Sequence, residues 1–356
     1  MARVAMAMSG GVDSSVAALL LKKQGHDVIG IHMKLYQGQN NVSRKKSCCS
    51  YDETADARNT CYKLGIPFYV IDYTDEFREL VINYFVKEYY NGQTPNPCVM
   101  CNKKIKNELL LKKIDEIDCD FLATGHYARL AKKKEGFLQL AKSRDLHKDQ
   151  TYFLYGIKSF EMHRLMFPLE NIKKNDVRNI ANKVNFSTAK KPDSQEICFV
   201  QKDYRTFLKQ EIKNSPEPGK FVNLSGKILG DHIGIPFYTV GQRRGINISD
   251  ETPFYVVKID VSNNRIVLGK EKDLFSKKTM VSDVNWVSIP PPKNPIKVIA
   301  KIRYSHNGSI ATIFPKTINQ VQLIFDKPER AITPGQSAVF YQDDILLGGG
   351  KICTMP

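Results

Sequence analysis

The sequence predicts an α/β protein with a parallel-sheet domain first, then a small central module and a C-terminal all-β barrel. Up to about residue 125, short apolar runs alternate with helix-length segments. Repetition of this β-α-β kind builds a parallel sheet covered on both faces. Beyond about residue 200, short apolar runs follow one another between Gly, Pro and Asn signals, at the spacing of a small barrel. With 42% hydrophobic and 25% charged residues over 356 positions, the composition excludes collagen-like, coiled-coil and largely disordered chains. The domains are expected at residues 1–205, 206–279 and 280–356.

The elements follow in order. Residues 4–8 read as a strand that stops in Ser-Gly-Gly, and residues 16–21 as the helix after it, with Gly25 at its C-cap. Residues 28–33 form the next strand, 55–64 a helix closed by Gly65 and Pro67, and 68–71 a third strand. Residues 77–90 and 99–117 are helical, and 121–124 a fourth strand. Later, residues 254–259 and 265–268 flank Asn263-Asn264, a hairpin signal. The prolines at 290–292 and 295 read as a stiff connector. Barrel strands are expected at 297–304, 310–314, 320–325, 337–341 and 345–347.

No uninterrupted apolar run approaches the ~18 residues of a membrane span. The apolar opening is too short for a secretory signal, and no Arg-rich leader is seen. A cytoplasmic chain without a membrane partner is expected. There are 53 Lys+Arg against 37 Asp+Glu, a net charge of +16. The excess is spread: each side of residue 200 carries +8. Such a chain suits a large polyanion such as nucleic acid, although a basic proteome gives the same number.

The strongest motif is Ser9-Gly10-Gly11-Val12-Asp13-Ser14-Ser15, at the first strand-to-helix turn. Two glycines let backbone approach an anion, and the helix start supplies free N–H groups. Asp13 beside a phosphate makes sense if it holds a metal or orients the loop. No Gly-Lys-Ser/Thr follows, and GxGxxG is absent, so this is neither a Walker loop nor a dinucleotide turn. The second motif is Thr94-Pro95-Asn96-Pro97-Cys98-Val99-Met100-Cys101-Asn102. Pro97 suits a first helical turn, which would put Cys98 and Cys101 where the dipole favours thiolate. Lone CxxC fits a redox pair or half of a metal site; zinc would need a second pair, and none follows. The third motif, Asp193-Ser194-Gln195-Glu196-Ile197-Cys198-Phe199, adds a single thiol. Cys48, Cys49, Cys61, Cys119 and Cys353 read as packing or incidental thiols.

Together with IHMK, ATGHY, KDQTYFLY, AKKPDSQEICF, GQRRG and TPGQSAVFY, these motifs resemble the tRNA-specific 2-thiouridylase family over essentially the whole chain. The first motif alone is similar to the PP-loop of the N-type ATP pyrophosphatases. The resemblance implies that ATP adenylates the 2-oxygen of the tRNA wobble uracil with loss of pyrophosphate, and that sulfur then displaces AMP. It implies that Ala7, Met8, Ser9, Gly10, Gly11, Val12, Asp13 and Ser14 cradle the nucleotide with Mg2+, and that Met33 and Gly125 lie on its adenosine side. Asn96, Pro97 and Cys98 match the surroundings of the flipped target base. Cys101 matches the nucleophile and Cys198 the persulfide carrier, with a disulfide bond among the implied features. Lys148, Asp149, Gln150, Arg303 and Tyr304 match tRNA contacts, and the central module and barrel would face tRNA. Tyr304 or Tyr341 could stack on a base. The implied partners are tRNAs for Lys, Glu and Gln and a persulfide donor such as a cysteine desulfurase or sulfur-relay protein.

One departure matters. Well-known members of that family carry Asp where this chain has Cys98. Cys98, Cys101 and Cys198 could therefore hold a [4Fe–4S] cluster instead of running a persulfide relay. Two other readings are an amide ligase of the PP-loop class, which needs no thiols, and a tRNA-binding module without catalysis.

Overall fold

The computed structural model describes residues 1–36, 51–132, 137–193, 197–200, 203–212 and 214–354. Cys48, Cys49, Ser194, Gln195 and Glu196 lie outside the described residues. The chain divides into two compact units. Residues 1–81, 98–201 and 344–346 form one, and residues 82–97, 202–343 and 347–356 form the other.

The first unit opens with β1 (Arg3–Ala7), α1 (Val12–Lys23), β2 (Asp27–Lys34), α2 (Tyr51–Leu64) and β3 (Phe68–Asp72). Gly25 ends α1 as expected: its φ is +84°, in the left-handed region, and its N–H donates to Lys22 O at 3.0 Å. A short α3 (Thr74–Phe77) runs into a π-turn, Arg78–Asn83, and then α4 (Tyr84–Tyr90). The next helix starts with α5 (Pro97–Cys101), passes a second π-turn, Asn102–Leu109, and ends as α6 (Leu110–Glu116). Two sequence-predicted helices thus each contain a π-turn, a feature that apolar periodicity does not signal.

β4 (Phe121–Ala123) is followed by the antiparallel hairpin of β5 (Ala128–Lys132) and β6 (Leu138–Lys142), then by β7 (Leu165–Met166) and α7 (Lys174–Lys183). The parallel sheet has the order β3-β2-β1-β4-β7. Its centre is buried because β1 is apolar after Arg3: Val4, Ala5 and Met6 have no exposed surface. Leu21 from α1 and Val177 and Ala181 from α7 pack in the same core as Val4 and Met6. Each fully buried Leu or Val contributes roughly 1.5–3 kcal/mol relative to exposure. The chain leaves β1 toward β2 on one side, while β4 joins on the other. The carboxyl ends of β1 and β4 therefore form the topological switch point where open α/β sheets bind ligands.

The second unit holds α4 and α8 (Tyr204–Glu211), whose N-cap Asp203 accepts from the N–H groups of Arg205 and Thr206 at 3.0 Å. A four-stranded sheet follows, of β8 (Gly219–Asn223), β9 (Ile228–His232), β10 (Tyr255–Asp260) and β11 (Arg265–Gly269), in the order β10-β11-β8-β9. Asn264 takes a φ of +47° in the expected hairpin turn. The last six strands are β12 (Phe275–Trp286), β13 (Ile296–Lys301), β14 (Ser309–Thr317), β15 (Gln320–Arg330), β16 (Ser337–Gln342) and β17 (Ile345–Cys353). Their order is β12-β15-β14-β13-β16-β17, and β12–β17 pairing closes the barrel. β12 has no clean alternation and is not legible in the sequence. β13 ends at Lys301, so Arg303 and Tyr304 stand in the following loop and not in the strand expected at 297–304.

Candidate active site

The Ser-Gly-Gly turn sits at the switch point. Gly10 has a φ of +74°, and a Cβ there would strike the Glu53 carbonyl of α2, so only glycine fits. Gly11 caps α1 without a side-chain bond. The N–H groups of Val12, Asp13 and Ser14 have no acceptor among the described residues, which leaves a helix N-terminus open to an anion. Hydroxyls brace the turn: Ser14 Oγ and Ser15 Oγ donate to Gly11 O at 3.0 and 2.9 Å. Ser9 is exposed, whereas the side chains of Ala7, Met8, Val12 and Ser14 are buried. A ligand here meets backbone groups of those residues and not their side chains. Gly125, just past β4, approaches the helix start so closely that a Cβ would lie 2.9 Å from Ser14 N. Met33 lies near the carboxyl end of β2, opposite Ile71 of β3.

Asp13 is an ion-pair member. Lys174 Nζ donates to both of its oxygens at 2.7 Å, and Tyr127 OH donates to Oδ1 at 2.9 Å. Lys174 also reaches Asp193 Oδ1 at 2.8 Å, as does Arg178 Nη2 at 2.8 Å, while Lys148 Nζ donates to Asp193 Oδ2 at 2.7 Å. Burial pushes the Asp193 carboxyl up, but hydrogen bonds and charge from Lys148 and Lys174 outweigh it and hold the pKa down at about 2. Gln150 is tied to Tyr127 both ways, its N–H to Tyr127 O and its Oε1 from Tyr127 N, each at 3.0 Å. Asp149 Oδ2 accepts from Thr151 Oγ1 at 2.7 Å. The motifs SGGVDSS, ATGHY, KDQTYFLY and AKKPD therefore meet in one charge network. Tyr127, Lys174 and Arg178 are its members that sequence reasoning missed. Tyr127 stands inside the ATGHY motif, but Lys174 and Arg178 look like solvated helix charges. Held on both oxygens by Lys174, this carboxylate orients the loop.

The helix bearing CxxC begins at Pro97, as expected. The loop before it is clamped within the second unit: Thr94 N donates to Pro334 O at 2.8 Å, and Gln336 Nε2 donates to Thr94 O at 3.0 Å. TPNPCVMCN and TPGQSAVFY, 242 residues apart at that bond, are joined there. Thiolate at Cys98, expected from the helix dipole, is corrected: burial pushes this thiol up, against the opposing charge of Lys106. Cys198 is partly buried and set by its neighbour Phe199, whose ring lies 5.8 Å from Phe77 and 6.3 Å from Tyr36, edge-on to both.

No disulfide joins Cys98, Cys101 or Cys198. Among the described residues no three His, Cys, Asp or Glu side chains stand close enough to hold a metal. Among the described residues the three thiols are therefore not gathered as a set of metal ligands. Cys61 is a core thiol whose pKa burial raises to about 12, and Cys119 is also buried.

In the second unit Tyr304 is 42% exposed, with Lys301 Nζ 5.8 Å over its ring, while Tyr341 is 1% exposed. Tyr341 is a core residue and is removed as a base-stacking candidate. Arg303 Nη1 donates to Arg330 O at 3.3 Å. In GQRRG, Gly241 and Gly245 take φ of +88° and +74°. Between them Gln242 bonds inward, accepting from Thr239 N at 3.2 Å and Tyr204 OH at 3.3 Å and donating to Arg244 O at 3.0 Å. Arg243 and Arg244 are left exposed, with no acidic partner among the described residues.

A parallel sheet, a glycine turn at its switch point and an open helix N-terminus define a nucleotide-binding α/β protein of the PP-loop class. Family models match three consecutive stretches: a "tRNA methyl transferase HUP domain" over residues 2–202, a "tRNA methyl transferase PRC-barrel domain" over 205–270 and an "Aminomethyltransferase beta-barrel domain" over 276–352. The tRNA-specific 2-thiouridylase MnmA of Clostridioides difficile is 47% identical over 98% of this chain and 98% of its own length. Its counterparts in Halothermothrix orenii and Clostridium acetobutylicum are 46% and 44% identical, covering 99% and 98% of this chain and 99% of each relative. The chain belongs to the tRNA-specific 2-thiouridylase family. Among the described residues no helix is long and apolar enough to cross a membrane.

Proposed function

We propose that the chain catalyses ATP-dependent 2-thiolation of a tRNA wobble uridine through a cysteine persulfide. The observation that carries this reading is the open N-terminus of α1, braced by its serines and bound through Asp13 and Lys174 to Asp193. ATP phosphates would lie against the N–H groups of Val12, Asp13 and Ser14, with Mg2+ arriving on those phosphates and neutralising them. The uracil 2-oxygen attacks the α-phosphorus, pyrophosphate leaves, and the base becomes an O-adenylate. The terminal sulfur of a Cys198 persulfide then attacks C2 and AMP departs. Thiolate from Cys101 attacks the Cys198 sulfur, breaking the S–S bond. This leaves 2-thiouridine and a Cys101–Cys198 disulfide, which an external thiol reduces.

The family descriptions speak of methyl transfer, which has no use for a phosphate loop; placed thiols favour sulfur transfer. Lys148, Asp149, Gln150, Arg303 and Tyr304 would contact the RNA, and Asn96, Pro97 and Cys98 the extruded base. Met33 and Gly125 would line the adenosine side of the nucleotide. The test is anaerobic: purified protein, unmodified tRNA, ATP and a persulfide donor, with iron measured per chain. Iron-free protein should form 2-thiouridine and release one AMP per base. Activity confined to iron-loaded protein would overturn the persulfide route, and no thiouridine in either preparation would overturn the whole reading.

A further inference from the structure

We propose that His306 is a positioning residue that, together with Glu329, holds the turn presenting Arg303 and Tyr304 to RNA. The inference rests on the reading of those two residues as RNA contacts. They stand in the loop of residues 302–308 between β13 and β14. The turn is closed by the His306 backbone N–H, which donates to Arg303 O at 3.0 Å. A second bond crosses the loop: Ile302 N–H donates to His306 Nδ1 at 3.4 Å. A backbone N–H can only donate, so Nδ1 is the acceptor and the ring proton belongs on Nε2. That nitrogen faces Glu329 Oε2 at 3.1 Å, and the two side chains are only 12% and 13% exposed.

Both flanks of the turn are thereby seated on the end of β15. His306 reaches the side chain of Glu329, and Arg303 Nη1 reaches the carbonyl of the next residue, Arg330, at 3.3 Å. The crest between the flanks, Tyr304 and Ser305, is exposed. In the barrel β14 lies between β13 and β15, so the strand ladder does not tie the turn to β15. The His306 ring supplies that link. An imidazole with one donor and one acceptor suits the task, whereas a Lys or Arg side chain could not accept from Ile302. Without the ring, the crest must be ordered when RNA arrives, and that ordering costs affinity. Charge alone gives the opposite expectation for Glu329. A carboxylate near an RNA surface repels phosphate, so its removal would tighten binding if it positioned nothing.

The readout is filter binding of unmodified tRNA to the full chain at fixed salt, with KM and kcat for tRNA thiolation measured alongside. Arg303→Ala/Tyr304→Ala should weaken binding. His306→Ala and Glu329→Ala should each weaken it about tenfold, the scale of ordering two side chains at an interface. The loss should fall on KM for tRNA and leave kcat. Glu329→Gln keeps an acceptor for the Nε2 proton and should bind close to wild type. Placed in the Arg303→Ala/Tyr304→Ala background, His306→Ala should cost nothing further, because it acts only through the two residues already removed. Glu329→Ala serves in that cycle if His306→Ala does not fold. Wild-type affinity in His306→Ala, tighter binding in Glu329→Ala, or a loss that adds in full in the combined variant overturns the positioning role alone. Wild-type affinity in Arg303→Ala/Tyr304→Ala takes down the RNA reading of this loop together with it.

Discussion

At the residue scale, the three thiols of the motifs differ in what surrounds them. Burial pushes the Cys98 thiol up, against the charge of Lys106, which suits it poorly to a role as base toward uridine. Cys98→Ser should keep thiolation within roughly tenfold, whereas Cys101→Ser and Cys198→Ser should each lose on the order of a thousandfold or more, as nucleophile deletions do. Single-turnover thiouridine formation checks this, and a Cys98→Ser loss as deep as the other two would contradict it. Gly10 is a second residue-scale case. A left-handed φ for an L-residue costs about 1–2 kcal/mol, and the Glu53 carbonyl blocks the Cβ as well. Gly10→Ala should lower the melting temperature and raise the KM for ATP, while tRNA affinity stays put. The glycines, serines and cysteines of these sites were legible because their chemistry is rare at such spacings. Lys174 was not, because a Lys at a helix start reads as a solvated charge until its two carboxylates are seen.

At the scale of elements, the parallel sheet was legible strand by strand because buried parallel strands are continuous apolar runs. The β5–β6 hairpin, β12 and both π-turns were not: their patterns mix exposed and buried positions irregularly. Nor could the sequence tell that TPGQ would clamp TPNP, since the Gln336 amide and the Thr94 N–H both find backbone carbonyls, which any residues carry. The GQRRG loop was legible as a motif, but its division of labour was not. Gln242 spends its polar atoms inside, and two arginines project outside. If the chain thiolates tRNA, these arginines meet RNA phosphates. Replacing both by alanine should weaken tRNA binding and reduce the slope of log affinity against log salt by about one for each phosphate no longer neutralised. The rate at saturating tRNA should not change. An unaltered slope in filter binding across a salt series would remove this loop from the RNA surface.

At the scale of the whole chain, four of the seven histidines share one physical situation across both units. His32 and His126 belong to the first unit, and His232 and His306 to the second. Burial pushes each below the ordinary imidazole value; the opposing Met8 carbonyl at His32, Asn264 carbonyl at His232 and Glu329 carboxylate at His306 do not cancel it, and Lys106 reinforces it at His126. His32 bridges Met8 O at 2.8 Å and Thr54 Oγ1 at 3.0 Å, and His126 meets Thr124 Oγ1 at 2.8 Å. A histidine whose folded pKa is depressed contributes stability that is present above its unfolded value near 6.5 and is lost as pH falls through the folded value. Asp193, held at about 2, keeps its contribution until pH drops below about 4, its unfolded value. Between about pH 4 and 6.5 the histidines therefore act without it. Both units should lose stability together as pH falls from about 7 to 5, with protons taken up on unfolding. Urea midpoints across that range, and calorimetry in buffers of different ionisation enthalpy, measure the two quantities. A flat midpoint with no proton uptake would mean that these rings are already charged in the folded chain, and the bonds that hold Met8, Thr54 and Thr124 would need reassigning.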